Sequence, residues 1–130
     1  ELARPVDLDD EFIVAQGISA RLWNAGHILG SSSVEMTAGE TRILFSGDLG
    51  PDNKSFHPGP KAPRDFDHLI CESTYGDRER EDVTSEDRRR QLQVEIERAI
   101  ARGGNLVVPT FALERTQELL LDISTLINSG

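Results

Sequence analysis

The most constraining feature of this chain is a succession of four short strand patterns between Phe12 and Phe45. Phe12-Ile13-Val14 is a short apolar run. Ile18, Ala20 and Leu22 alternate with Ser19, Arg21 and Trp23, the period of a half-buried strand. Ser33-Val34-Glu35-Met36-Thr37 alternates again, and Ala38-Gly39-Glu40 marks a hairpin turn into the run Ile43-Leu44-Phe45. Strands this close in sequence have room for turns but not for crossover helices, so an antiparallel meander is expected.

The fourth strand runs directly into Ser46-Gly47-Asp48-Leu49-Gly50-Pro51, where glycine and proline end it. Asp48 is thereby placed at the rim of a sheet, where rigid scaffolds hold reactive groups. A plain turn aspartate bonding its own backbone is the competing reading. His27 lies in the loop Asn24-Ala25-Gly26-His27-Ile28-Leu29-Gly30, whose glycines permit a tight turn and the close approach of a metal or phosphate. Imidazole and carboxylate are both good zinc ligands, but a zinc site needs at least three protein groups. His57, in a Pro- and Gly-rich loop from Pro51 to Pro63, and His68, ahead of an apolar strand, have weak contexts for that role. The strand from His68 to Ser73 delivers Glu72 to the same rim, either as a paired acid at a strand end or as an acid/base or supporting carboxylate.

Beyond Gly76 the pattern changes. Thr84 and Asp87 have capping-box spacing, Leu92, Ile96, Ala99 and Ile100 follow at helical intervals, and Gly103-Gly104 ends the helix. Leu106-Val107-Val108 is expected to be a buried strand closed by Pro109. A second helix carries Leu113, Gln117, Leu120, Leu121 and Ile127, with Leu119, Ile123 and Leu126 widening its apolar surface. Strand, helix, strand and helix in that order suggest a parallel α/β unit. Arg115 is expected to pair with Glu114, Glu118 or Asp122, and Arg88-Arg89-Arg90 to form a solvated helix face.

The formal charge of −9 argues against a broad basic nucleic-acid surface but not against a nuclease centre whose charge is offset by metal ions. The single cysteine, Cys71, excludes an intrachain disulfide framework and a multi-cysteine zinc site; its apolar neighbours suggest a buried thiol. A reducing, cytoplasmic setting is expected. No signal-peptide pattern and no bilayer-spanning apolar run is seen, so no membrane role is expected. The first residue is Glu1 and the only methionine is Met36, which suggests an excised piece of a longer protein.

Taken together, Ala25-Gly26-His27-Ile28-Leu29-Gly30-Ser31, Phe45-Ser46-Gly47-Asp48-Leu49-Gly50, Glu72-Ser73-Thr74-Tyr75-Gly76-Asp77-Arg78 and the stretch from Arg102-Gly103-Gly104 to Pro109-Thr110-Phe111-Ala112 resemble, in order, the β-CASP branch of the metallo-β-lactamase-fold hydrolases. That branch includes the cleavage and polyadenylation endonuclease subunit and RNase J. The resemblance runs from about Phe12 onward. It implies an α/β (α+β sandwich) fold, with residues 1–76 forming the second part of an αββα core and residues 77–130 beginning an inserted parallel α/β β-CASP domain. By position, His27 matches a zinc-binding histidine, Asp48 an aspartate bridging two zinc ions, and Glu72 an acid that orients a catalytic histidine supplied later in the chain. In such centres two metals clamp a hydroxide and a phosphate oxygen, and the later histidine protonates the leaving oxygen. The HxHxDH motif is expected upstream of Glu1 and the later histidines beyond Gly130. Ser32 departs mildly from the alanine of many relatives.

The resemblance therefore implies a fragment of a zinc-dependent ribonuclease, inactive alone. Its implied partners are RNA, single-stranded DNA as a second substrate, the missing N- and C-terminal parts of the same protein, and a second copy in a homodimer. The competing readings are a non-catalytic scaffold of an RNA-processing complex and a small-ester or thioester hydrolase of the same fold.

Overall fold

A computed structural model of the chain describes residues 3–52, 54, 58–79 and 83–129. It is an α+β structure whose contacts divide it into two units, Glu1–Arg78 and Glu79–Gly130. Unit 1 is a five-stranded sheet in the order β1-β2-β3-β4-β5. The strands are β1 (Glu11–Ala15), β2 (Ile18–Asn24), β3 (Ser32–Ala38), β4 (Thr41–Phe45) and β5 (His68–Ile70).

The expected meander is present: β1 to β4 pair antiparallel in sequence order. Ala15 pairs with Ile18, and Ala38 with Thr41, across tight turns in which Gly17 (φ 75°) and Gly39 (φ 61°) take left-handed conformations. β5 then joins β4 in parallel, Leu44 opposite Leu69. Parallel pairing thus occurs in unit 1, through the long connection 46–67, and none is formed among the described residues of unit 2, where the sequence pattern suggested it. β5 is also shorter and more open than expected. It ends at Ile70, and Leu69 and Ile70 are both more than half exposed. As the last strand of the order it has a neighbour on one side only. Cys71, just beyond it, is exposed rather than buried for the same reason.

The register divides the side chains between two faces. Ala20, Leu22, Val34, Met36, Ile43 and Phe45 share one; Arg21, Trp23, Ser33, Glu35 and Leu44 share the other. Among the described residues the buried apolar core is Ala20, Ala25 and Leu44. The second face is organised by a buried carboxylate. Glu35 accepts from Trp23 Nε1 at 2.8 Å and from Arg42 Nε at 2.8 Å, with the Arg42 terminal nitrogen closing an ion pair. Arg21 covers the Trp23 ring at 5.8 Å.

Burial pulls the Glu35 pKa up, but the bonds from Arg42 and Trp23 outweigh it and hold the carboxyl below its ordinary value. A lowered folded-state pKa means that this stabilisation is complete above the ordinary carboxylate pKa of about 4.3. It is lost as pH falls through the folded value. Glu35→Gln is expected to lower unfolding stability by about 1.5–3 kcal/mol at neutral pH and to flatten the acid limb of the stability curve. Denaturant titrations at several pH values check both effects.

Unit 2 holds α1 (Ser85–Ala101) and α2 (Arg115–Ser129). The expected capping box is formed: Asp87 N–H donates to Thr84 Oγ1 at 3.1 Å and Thr84 N–H to Asp87 Oδ2 at 3.3 Å. Gly103 (φ 64°) turns the chain out of α1, and the Gly103 and Gly104 N–H groups cap the Ile100 and Ala99 carbonyls. Residues 106–108 do not form a strand, and Val107 is 84% exposed. Among the described residues unit 2 contains no strand that this run can pair with.

The face of α2 is also rotated from the expected one. Leu113 precedes the helix, Leu120 and Ile127 are exposed, and the buried positions are Glu118 and Asp122. Asp122 draws in the arginine run: Arg88 Nε donates to it at 2.8 Å and Arg89 lies 3.6 Å away. Only Arg90, paired with Asp87, stays on the solvated face expected for all three.

Candidate functional site

The antiparallel and parallel pairings bring the C-terminal ends of β2, β4 and β5 and the N-terminal end of β3 to one edge of the sheet. The loops carrying His27, Asp48 and Glu72 leave from that edge and are bonded to one another.

The His27 loop is shaped by two side chains. Ser31 Oγ accepts from the N–H groups of His27 (2.9 Å) and Ile28 (3.1 Å), and Asn24 Oδ1 accepts from Gly26 N–H (3.1 Å). Asn24 also ties in the following connection: its Nδ2 donates to the Pro58 and Gly59 carbonyls at 3.0 Å, and its own carbonyl accepts from Lys61 N–H at 2.8 Å. Gly26 (φ 65°) packs so closely on Pro60 that an added Cβ would come within 2.8 Å of its nitrogen. The Lys54 ammonium donates to the His27 carbonyl.

The Asp48 loop is joined to this one through Gly50, whose N–H donates to the Ala25 carbonyl at 2.9 Å. Gly47 (φ 58°) turns against the Ser32 carbonyl, which a Cβ would meet at 2.7 Å. Asp48 itself is exposed, and its carboxylate makes no hydrogen bond or ion pair among the described residues.

Glu72 is the connector. One carboxylate oxygen accepts from Leu49 N–H at 3.2 Å, the other from Thr74 N–H at 2.9 Å. Its backbone N–H donates to Ser46 Oγ at 2.9 Å. The Thr74 backbone bond is the main reason its pKa is lowered. The Thr74 side chain, Leu49 N–H and the charge of His27 act in the same direction, against a smaller opposing cost of desolvation. Glu72 is therefore a carboxylate at neutral pH, and it bonds to the Ser46 hydroxyl before Asp48 and to Leu49 N–H after it.

The donor set is incomplete for a metal. His27 and Asp48 are of the right chemical type, but among the described residues no group of three His, Cys, Asp or Glu side chains converges. His68 opens β5 and is exposed; His57 lies outside the described residues. The described residues thus do not by themselves form a metal centre.

Arg115, in unit 2, makes no ion pair among the described residues. Of the three acids expected to hold it, Glu114, Glu118 and Asp122, the last is taken by Arg88 and Arg89. Arg115 lines a cleft of about 670 Å³ that Arg88, Leu92, Phe111 and Leu119 also border.

The buried serines were not singled out from the sequence. Ser33 Oγ donates to the Ser46 carbonyl at 2.6 Å, and both residues are buried. Their signal was a small hydroxyl on a buried face of the strand pattern at Ser33 and another between an apolar strand and a glycine at Ser46.

No model of a known protein family matches the chain. Curated relatives are found. An RNase J-like protein of Methanocaldococcus jannaschii is 36% identical over 122 residues, which cover 93% of this chain and 29% of that protein. A ribonuclease of Thermus thermophilus is 37% identical over 123 residues, 94% of this chain and 28% of that protein. The endoribonuclease YSH1 of Mycosarcoma maydis is 34% identical over 117 residues, 89% of this chain and 13% of that protein. The chain spans less than a third of the length of each of these relatives.

Proposed function

The chain belongs over most of its length to the β-CASP family of metallo-β-lactamase-fold proteins, and from that premise we propose that its parent protein is a metal-dependent nuclease that hydrolyses RNA. The observation that carries this reading is the joining of the His27, Asp48 and Glu72 loops at one sheet edge by the Gly50–Ala25, Leu49–Glu72 and Ser46–Glu72 bonds. Three loops from distant parts of the sequence, which carry an imidazole and two carboxylates, are thereby joined just beyond the strand ends, a scaffold on which a reactive centre can be built. The relatives named as ribonucleases support RNA as the substrate class.

In this reading residues 1–76 contribute part of the metallo-β-lactamase core and residues 77–130 begin the β-CASP domain. His27 and Asp48 are two of the ligands of a zinc centre, and parts of the protein beyond this chain supply the others. When bound, the metal provides Lewis-acid polarisation of a phosphate oxygen. The chain's own contribution is orientation. Ser31 sets the His27 backbone, Gly47 and Gly50 set the Asp48 turn, and Glu72 holds that turn from the other side. An RNA substrate and an exposed unpaired thiol at Cys71 suit a cytoplasmic protein.

The test is an assay of the purified parent on labelled RNA, single-stranded DNA and a thioester. RNA cleavage that chelation removes is the expected result, with residues 1–130 alone inactive because the donor set is incomplete. Cleavage by residues 1–130 alone would overturn the shared-centre reading. A parent that binds RNA without cutting it would point to a scaffold, and thioester turnover without RNA cleavage to a small-molecule hydrolase.

A further inference from the structure

We propose that Ser46 is a positioning residue: its hydroxyl, steadied by Ser33, sets the separation of the Asp48 and Glu72 loops and so the placement of Asp48. The proposal rests on the nuclease reading only for its consequence in catalysis; the placement itself is a matter of bonds.

Ser46 is 4% exposed and every polar group it carries is engaged. Its N–H donates to the Ile70 carbonyl at 2.9 Å, tying the end of β4 to the end of β5. Its carbonyl accepts from Ser33 Oγ at 2.6 Å, tying β4 to β3. Its hydroxyl donates to the Gly47 carbonyl at 2.7 Å and accepts from Glu72 N–H at 2.9 Å. Glu72 then returns its carboxylate to Leu49 N–H. These links close a ring that runs along the backbone from Ser46 through Gly47 and Asp48 to Leu49, across to Glu72, and back to the Ser46 hydroxyl. Asp48 is a member of the ring, and among the described residues its own side chain makes no bond that would fix it. Its position is therefore inherited from the ring.

Removing the hydroxyl opens one of the two cross-links and leaves the part-buried Glu72 N–H without its acceptor, a costly state. The Ser46 N–H bond to the Ile70 carbonyl still joins the strand ends, but beyond them the remaining link is made through the rotatable Glu72 side chain, which holds the two loops less firmly. A space-filling role for Ser46 would make no such demand. Alanine keeps most of the volume and loses the hydroxyl; threonine keeps the hydroxyl and adds a methyl group. The two variants therefore separate bonding from packing.

The experiment uses the parent protein with Ser46→Ala, Ser46→Thr and Ser33→Ala, read by hydrogen exchange of peptides and by RNA cleavage. Ser46→Ala is expected to raise exchange in segments 46–50 and 72–76 together, to leave strands 18–24 and 32–38 protected, and to lower kcat by about 10–100-fold with little change in KM. Ser46→Thr is expected to restore both readouts. Ser33→Ala, which leaves the ring closed but loosens its anchor, is expected to raise exchange in the same two segments to a smaller extent. The proposal fails if Ser46→Ala leaves both segments protected, if exchange rises equally through the strands, or if Ser46→Thr is as damaged as Ser46→Ala. Should Ser46→Ala not fold, unchanged exchange in Ser33→Ala overturns it. A wild-type parent that cuts no RNA sinks the nuclease reading alone, because exchange still decides the ring.

Discussion

Gly50→Ala is expected to destroy the rim and, with it, the RNA cleavage proposed for the parent protein. An alanine Cβ at this position would lie 1.6 Å from the Gly26 carbonyl oxygen, 2.2 Å from its carbon and 2.7 Å from His27 N. All three obstacles are backbone, so no side chain can swing aside. Either the His27 loop or the Asp48 loop must move by an ångström or more. Moving the first strains Gly26, already pressed on Pro60; moving the second breaks the Gly50–Ala25 bond and pulls Leu49 from Glu72. Overpacking of this kind costs about 1–3 kcal/mol, and backbone-on-backbone conflict belongs at the upper end. Displacement of a reactive group by about 1 Å can cost about a hundredfold in rate. Thermal unfolding and RNA cleavage measured on the same sample check the pair of effects. Wild-type stability and wild-type rate in Gly50→Ala would show that the two loops do not meet as described.

Asp48→Ala is expected to separate the two effects. The carboxylate is exposed and makes no hydrogen bond or ion pair among the described residues, so its removal should change stability by no more than about 0.5 kcal/mol. As a proposed metal ligand, however, it should be worth more than the residues that merely support ligands, whose loss costs about 10–100-fold. A fall in RNA cleavage of more than about a hundredfold, with circular dichroism and melting unchanged, is the expected result. Cleavage within a few-fold of wild type would return Asp48 to the status of a turn residue. Gly50 and Asp48 are two residues apart, yet one acts through the backbone and the other through its side chain. A joint comparison of stability and rate distinguishes them.

The unit 1 sheet was legible because its determinants are local. Period-two alternation, the turn at Gly39 and the stop at Ser46-Gly47 each act over a few residues and agree with one another, while the matching turn at Gly17 carried too little signal to be singled out. The α1 boundaries were legible for the same reason, from Thr84, Asp87 and Gly103. What misled was apolar content without a partner. Leu69-Ile70-Cys71 and Leu106-Val107-Val108 have the composition of buried strands, but burial depends on what packs against them, which composition does not encode. On α2, spacing pointed to the face of Gln117, Leu120, Leu121 and Ile127, whereas the ion pairs of Asp122 with Arg88 and Arg89 turn Glu118 and Asp122 inward. At the rim, motifs pointed to His27, Asp48 and Glu72, but not to the hydroxyls and glycines that hold them. Those act through bonds between segments far apart in sequence.

The long connection between β4 and its parallel neighbour also sets an order in time. Hairpins β1–β2 and β3–β4 close over two-residue turns and form within about 1–10 μs. The bonds at the rim wait for residues 46–67 to loop back, and the entropy of that closure must be met before any of them is gained. During synthesis from the N-terminus, His27 and Asp48 leave the ribosome on a sheet that can already form, while Glu72 is still to come. The edge that joins the three loops thus depends on the longest chain closure in this unit, and its bonds are expected to form after those of the two hairpins.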